Sequence, residues 1–189
     1  MRSIIIVKSN KNKAIIELKQ YVNHKWATTI YTKGYIGRNG VGKLKEGDGK
    51  TPKGLFRLGI AFGIYESIKT MLPYVKVQDS MYWIDDYNSK FYNELVKVET
   101  NKNNKEMNCK NVSIEEIDWK TAEHLIEYKK QYEYAIEIKY NEEKEREKGS
   151  AIFLHCSCDK PTAGCIAIPA IDMKKLLKCV NNKTKIYIM

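Results

Sequence analysis

Residues 151–169, AIFLHCSCDKPTAGCIAIP, hold two apolar segments joined by a polar loop. The first segment is apolar throughout, which is typical of a buried strand, and it leads directly into His155. The loop covers residues 156–164, after which an extended pattern resumes at Cys165 and stops at Pro169. Because so short a loop can fold back on itself, we expect the histidine before it and the cysteine after it to meet.

The rest of the chain predicts a single, mainly β domain. The segments predicted as strands are residues 4–7, 14–18, 26–30, 82–88, 132–140 and 185–189. The segments predicted as helices are residues 119–130 and 172–180. Residues 100–112 are rich in Asn and Lys, which indicates an exposed excursion. The expected fold class is therefore mainly β with one or two helices (α+β), in one domain over residues 1–189.

Length and composition exclude several classes of protein. The chain has 189 residues, of which 43% are hydrophobic and 30% charged, so it can bury a core and is not globally disordered. It contains no apolar run near the roughly 18–20 residues of a membrane span, which excludes a transmembrane helix. The 13 Tyr against 4 Phe suggest that some amphipathic rings line a surface groove.

The charge balance favours an anionic partner. The formal net charge is +10, which fits nucleic acid, anionic lipid or a cell-wall polymer, and equally fits a lysine-rich surface without a partner. The positive charges are spread along the chain, and it contains no dense basic tract and no nucleic-acid-binding motif. We therefore expect no specific nucleic-acid recognition.

The cysteines do not form a disulfide framework, because their number is odd and their spacing irregular. They are Cys109, Cys156, Cys158, Cys165 and Cys179. The apolar stretch near the N-terminus is too short for a signal peptide, and no small-residue cleavage site follows it. The chain as given is therefore expected to carry no export signal, so a cytoplasmic location stays open.

His155 and Cys165 can supply nucleophilic chemistry. A thiol is ionised to only a few per cent at pH 7, so a cysteine nucleophile needs a base. A histidine partner is expected to lower the pKa of the thiol below its ordinary value. The small residues Ala163 and Gly164 let backbone N–H groups approach a substrate carbonyl. Among the three histidines, His155 is the one that stands close to a cysteine in a glycine-containing turn.

Two other interpretations of these residues stay open at this point. His155 could be a core histidine and Cys165 a small buried side chain. Alternatively, His155, Cys156, Cys158 and Cys165 could bind zinc, although C-x-C is not the usual C-x2–4-C spacing and no second ligand pair follows.

Three motifs in order resemble the catalytic domains of L,D-transpeptidases of the YkuD type. His155 followed by residues 162–166, TAGCI, is similar to the family signature, in which a histidine precedes Ser/Thr-x-Gly-Cys. Residues 46–56, EGDGKTPKGLF, resemble the family's Asp-x-Lys-Thr-Pro-x-Gly-x-Phe segment, and residues 82–89, YWIDDYNS, resemble a segment of one bacterial branch. One departure is Ala167, where most members carry arginine.

The resemblance implies a β-sandwich or half-barrel that catalyses acyl transfer on peptidoglycan stem peptides. It implies that Cys165 is the nucleophile that forms a thioester and that His155 is its base. The oxyanion and substrate contacts implied by the family signature fall to Gly164, Thr162 and Ala163, besides the N–H of the cysteine. Neither a metal nor an organic cofactor is implied. The family also implies acylation by carbapenem-type inhibitors and a place of action in the bacterial cell wall, on the extracellular side, with a bearing on cell shape.

Three alternatives to transpeptidation remain. Water in place of the acceptor amine would make the same site an L,D-carboxypeptidase. A non-enzymatic cell-wall-binding module could keep the fold, but it would not need a histidine and a cysteine together at a glycine turn. A redox or zinc protein would instead use Cys156, Cys158 and Cys165.

Overall fold

The structure is a computed structural model that describes residues 2–99 and 107–189. The strands are β1 (Ser3–Asn10), β2 (Lys13–Val22), β3 (Lys25–Tyr35), β4 (Gly54–Gly63), β5 (Tyr74–Lys76), β6 (Met81–Ile84), β7 (Leu95–Glu99), β8 (Lys110–Ser113), β9 (Ala122–His124), β10 (Ala135–Ile138), β11 (Phe153–Cys156), β12 (Ile166–Ile168) and β13 (Lys185–Ile188). One α-helix, α1, covers Ala170–Cys179. Three single 3-10 turns cover Ile114–Glu116, Leu125–Glu127 and Gln131–Glu133.

The larger sheet closes on itself. Its strand order is β10-β11-β12-β3-β2-β1-β13-β4-β5, and β10 pairs with both β11 and β4. Eight strands therefore form a ring, and β5 extends it from β4. The first and last strands of the chain, β1 and β13, are parallel neighbours. The expected fold class, mainly β in the half-barrel form with few helices, is confirmed.

Strict alternation decides which side of each strand is buried. In β1 and β2, the side chains of Ile5, Val7, Ile16 and Leu18 are fully buried, whereas their neighbours along the strand face outward. Helix α1 contributes Met173, Leu176 and Leu177 to the same core, which follows their i, i+3, i+4 spacing. Within the described residues, no helix is long and apolar enough to cross a membrane.

A second, four-stranded sheet, of order β8-β7-β6-β9, packs against the ring through an aromatic cluster. The ring of Phe153 in β11 lies edge-on to Trp83 of β6 and to Phe62 of β4, with centroid distances of 4.7 and 5.1 Å. Such edge-to-face pairs add to the stabilisation that comes from burial. This cluster matters for the site, because Cys165 packs against it.

Three local predictions differ from the structure. The strand predicted at 82–88 ends at Ile84 as β6. Residues 119–130 do not form a helix: Ala122–His124 pair with β6 as β9, and a 3-10 turn follows, because pairing with a distant strand outweighs local helix propensity. The strand predicted at 132–140 is shorter, since Gln131–Glu133 form a 3-10 turn before β10. Of the predicted excursion at 100–112, residues 100–106 lie outside the described residues, and Lys110 already begins β8.

Candidate active site

His155 and Cys165 lie diagonally opposite on one face of two paired strands. Strands β11 and β12 are parallel, with His155 opposite Ala167. Cys165 stands two residues before Ala167, and side chains two apart along an extended strand share a face. Both side chains line the same cavity of about 190 Å³, which we call the thiol–imidazole cavity. Among the other residues that line it are Glu123, Tyr132, Cys158, Thr162, Ala163 and Ala167.

The thiol of Cys165 is held by backbone groups in the neutral form. Its Sγ donates to the carbonyl oxygen of Ala151 at 3.2 Å and accepts from the N–H of Phe153 at 3.3 Å. Burial, together with the negative charge of Glu123, raises the pKa of the Cys165 thiol to about 12. This is opposite to the lowered pKa that a histidine partner would cause. Within the described residues, Sγ is not hydrogen-bonded to the imidazole.

His155 is buried, and its tautomer follows from its partner. The Nδ1 atom lies 2.8 Å from the carbonyl oxygen of Cys156, which can only accept, so Nδ1 carries the proton and Nε2 has a free lone pair. Burial lowers the pKa of His155 to about 4, because a desolvated imidazolium is disfavoured. The Tyr132 ring and the imidazole pack at right angles to each other, with 5.8 Å between centroids. At neutral pH the site therefore pairs a neutral thiol with an imidazole that can act as a base.

The turn before Cys165 is closed by Thr162. Its hydroxyl donates to the carbonyl oxygen of Cys165 at 2.6 Å and accepts from the N–H of Gly164 at 3.2 Å. Gly164 is buried, and a Cβ there would lie 3.1 Å from both the Ile152 side chain and a backbone carbonyl oxygen, so the turn has little room for a larger residue. Ala163, between them, is exposed.

The loop formed by residues 46–56 contacts this turn through the side chain of Thr51. Thr51 is fully buried; its hydroxyl accepts from the N–H of Gly37 at 2.8 Å and reaches the carbonyl oxygen of Cys165 at 3.4 Å. Burial alone would raise the pKa of Asp48, but the N–H groups of Leu44, Lys50 and Lys45, with the Lys43 ammonium at 3.0 Å, outweigh burial and lower the pKa to about 2. These residues shape the loop.

A second cavity, of about 160 Å³, lies on another side of Cys165, and we call it the acidic cavity. Three carboxylate side chains and one ammonium group line it, from Glu46, Asp85, Glu123 and Lys43. Glu46 accepts hydrogen bonds from the hydroxyls of Tyr92 and Ser150. Burial is the main cause that raises the pKa of Asp85, and Oδ1 of that residue is buried without a hydrogen-bond partner among the described residues.

Glu123 lines both cavities, and the sequence did not single it out. Its carboxylate accepts a hydrogen bond from the Tyr132 hydroxyl. Burial is the main cause that raises the pKa of Glu123 to about 7, and the neighbouring charges of Asp85 and Glu46 add to this effect. The available signal was weak, because Glu123 falls in a segment whose pattern favoured a short helix.

The other cysteines of the loop take separate positions. Cys156 is buried, and its Sγ lies 3.5 Å from the carbonyl oxygen of Tyr134, whereas Cys158 lines the thiol–imidazole cavity. Among the described residues, none of the five cysteines forms a disulfide bond. In the part of the chain that the structure describes, no three His, Cys, Asp or Glu side chains converge as a metal-ligand set.

Comparisons with known proteins agree with this architecture. A family model of the L,D-transpeptidase catalytic domain (YkuD) matches residues 2–188. No curated protein gave a match. Among solved structures, the chain is similar to the helical cell shape determining protein Pgp2 from Campylobacter jejuni, with 16% identity and a TM-score of 0.51 over 98% of this chain and 46% of that one. It is also similar to Bd1075 from Bdellovibrio bacteriovorus, with 16% identity and a TM-score of 0.49 over 100% of this chain and 48% of that one.

The chain thus spans about half the length of the solved relatives that it matches. The family model covers nearly all of it, and the ring of strands carries the histidine and the cysteine of the family motif on one face. The chain belongs to the family of L,D-transpeptidase catalytic domains of the YkuD type.

Proposed function

We propose that this domain catalyses cysteine-dependent acyl transfer between peptidoglycan stem peptides, with Cys165 as the nucleophile and His155 as its base. The observation that carries the proposal is the shared cavity, which is lined by both Cys165 and an imidazole whose Nε2 lone pair can act as a base. Ala167 also lines this cavity and leaves room where most members of the family carry arginine. No step requires a cofactor.

The resting protonation states favour general-base catalysis over a preformed ion pair. Burial raises the pKa of the Cys165 thiol to about 12 and lowers that of His155 to about 4, so transfer of the proton before attack is disfavoured. The proton therefore moves to Nε2 while Sγ bonds to the substrate carbonyl carbon. The imidazolium then protonates the leaving amine as the C–N bond breaks, which leaves a thioester on Cys165.

We assign the developing oxyanion to the N–H of Cys165, with Gly164 and its neighbours as further donors. The N–H of Gly164 already donates to the Thr162 hydroxyl, so its use for the substrate requires that bond to lengthen. Ala163, at the rim of both cavities, is a proposed substrate contact.

The acidic cavity favours an amine over water as the acceptor. An acceptor amine is cationic in solution and must lose a proton before it attacks the thioester. Three acidic side chains line this cavity on another side of the thiol, and Glu123, with a pKa of about 7, can accept the proton that the amine loses. Hydrolysis, the L,D-carboxypeptidase reaction, uses the same thioester, and product analysis separates the two reactions.

We further propose that the domain acts in the cell wall, on the extracellular side, where peptidoglycan is found. Support comes from the family to which it belongs and from Pgp2, a similar structure described as a helical cell shape determining protein. A link to cell shape in this chain is part of the same proposal.

The test combines two measurements on the purified protein. Intact mass after incubation with a carbapenem should show one covalent adduct, and peptide mapping should place it on Cys165. Cys158→Ser is the matched control, because Cys158 lines the same cavity and should be dispensable, whereas Cys165→Ala should abolish the adduct.

The second measurement is the product spectrum from a disaccharide-tetrapeptide. Cross-linked dimers indicate transfer, and free tripeptide indicates carboxypeptidase activity. A protein that forms no adduct and no product, yet binds peptidoglycan, would refute the enzymatic proposal and favour the binding module.

A further inference from the structure

The outer surface of the ring carries aromatic and basic side chains in aligned rows across five strands. Registers of neighbouring strands define these rows, which run over β3, β2, β1, β13 and β4. One row consists of Tyr31, Glu17, Ile6, Tyr187 and Leu55, and the next of Thr28, Lys19, Ile4, Lys185 and Arg57. Shorter rows beside them consist of Lys33, Ile15 and Lys8, of Tyr35 and Lys13, and of Trp26 and Tyr21. We call this surface the outer face.

The aromatic rings of the outer face are exposed to an unusual degree. Tyr31 is 57% exposed and Trp26 is 51% exposed, and the ring of Tyr21 packs edge-on against that of Trp26 with 5.6 Å between centroids. Large exposed apolar groups grouped on one surface indicate contact with a partner. Flat, amphipathic rings on an extended sheet suit the apolar faces of sugar rings, because they stack on them and still hydrogen-bond at their edges.

The charge of the outer face is positive. Its rows contain six basic side chains and one acidic side chain, Glu17, which pairs with Lys8 at 2.7 Å. Arg57 pairs with Glu142, outside the rows, at 2.7 Å, so the excess positive charge comes from Lys13, Lys19, Lys33 and Lys185. Lys13, Lys33 and Lys185 are exposed. A surface of this kind attracts polymers that carry many carboxylates.

A groove beside the outer face is separated from the active site by one loop. A cavity of about 480 Å³ is lined by Lys8, Lys13 and Lys33 of the outer face and by Asp159 of the loop before the nucleophile. The residues on either side of Asp159, Cys158 and Lys160, line the thiol–imidazole cavity. One loop thus separates the groove from the reactive thiol, so a single polymer can lie in the groove and present a side branch to the site.

We propose that the outer face binds the glycan strand and stem-peptide carboxylates of peptidoglycan, and so holds the polymer while one stem enters the active site. The inference rests on the proposed function, because the identity of the bound polymer, peptidoglycan, is taken from it. The rings supply stacking on the sugars, and the lysines supply attraction for the carboxylates. This assigns a place to four of the 13 Tyr residues and to part of the net positive charge.

The experiment is co-sedimentation with purified, insoluble peptidoglycan that has been stripped of protein and of anionic accessory polymers, with Cys165→Ala as the parent to prevent turnover. Tyr31→Ser with Trp26→Ser should raise the apparent Kd about tenfold or more. Tyr65→Ser is the matched control, because Tyr65 is 54% exposed but lies outside the outer face, and it should bind like the parent.

A charge-matched pair of variants tests the lysines. The triple change of Lys13, Lys33 and Lys185 to Gln should weaken binding and reduce its dependence on salt, whereas the same change at the exposed Lys53, Lys69 and Lys110 should have a much smaller effect. Circular dichroism verifies that each variant is folded. Equal losses in both triple variants would overturn the inference, because they would show a net-charge effect without a defined surface.

Two further results separate this inference from the proposed function. With Cys165 intact, the outer-face variants should keep the parent rate on a soluble disaccharide-tetrapeptide and lose rate only on insoluble peptidoglycan. An inactive protein whose binding still depends on the outer face would refute the proposed function and leave this inference standing. Outer-face variants that bind like the parent, or that change only a monomer–dimer equilibrium in light scattering, would overturn the inference.

Discussion

Replacement of His155 and of Glu123 should change the pH dependence of stability in opposite directions. The pKa of His155 is lowered from 6.5 to about 4, so the unfolded state binds more protons than the folded state between these values. Its contribution to stability is present above pH 6.5 and is lost as the pH falls towards 4. The pKa of Glu123 is raised from 4.5 to about 7, so its contribution is present below pH 4.5 and is lost as the pH rises through 7.

The two contributions nearly cancel between pH 7 and pH 4.5. Linkage with these pKa values gives a loss of about 2.5 kcal/mol from His155 on acidification and a gain of about 2.5 kcal/mol from Glu123. Relative to the wild type, His155→Asn should therefore become more stable on acidification by about this amount, and Glu123→Gln less stable. Both replacements are close in shape: Asn keeps an N–H for the Cys156 carbonyl, and Gln keeps an acceptor for the Tyr132 hydroxyl.

The assay is urea unfolding at both pH values and constant ionic strength, followed by the fluorescence of the buried Trp83. Other titrating groups are common to the three proteins, so each difference from the wild type isolates one group. If the free energy of unfolding changes with pH in both variants as it does in the wild type, burial does not shift these pKa values. The argument for a neutral thiol–imidazole pair would then fail. A change in the same direction for both variants would also refute it.

Three further results are expected. Iodoacetamide at pH 7 should label Cys158 at least about a hundredfold faster than Cys165, whose raised pKa leaves little thiolate, and peptide mass spectrometry measures both rates; comparable rates would contradict the raised pKa. Thr51→Val should lower the free energy of unfolding by about 1–3 kcal/mol, because the buried N–H of Gly37 loses its acceptor, and a urea midpoint equal to that of the wild type would refute this. Cys156→Ser and Cys158→Ser, singly and together, should keep most of the acyl-transfer rate; stoichiometric zinc lost together with activity in the double variant would instead favour the metal interpretation.

Features encoded within a few neighbouring residues were predictable from the sequence. The apolar run before His155, the small residues before Cys165 and the i, i+3, i+4 pattern of α1 are all local. The juxtaposition of the histidine and the cysteine follows from a loop of nine residues between them. The structures predicted from these local patterns are present in the folded protein, because the short loop and the helix each depend on few distant contacts.

Glu123 shows what local patterns could not predict. Its segment has a helix-like pattern, yet it pairs with β6 and brings the carboxylate beside Cys165 and under the Tyr132 hydroxyl. The register that creates the rows of the outer face likewise depends on strands far apart in the chain, such as β1 and β13. Contacts between distant residues decide these positions.

The sequence by itself determined the family, the mainly β class and the two residues proposed for the chemistry, because each depends on residue types at short, fixed spacings. Only the tertiary structure decided the closure of the ring, the acidic cavity and the protonation states of the site. The pKa of Cys165 is raised where a histidine neighbour alone would lower it. The physical reason is that the pKa depends on how deeply a group is buried and which charges face it, and both are set by the packing of strands from the whole chain.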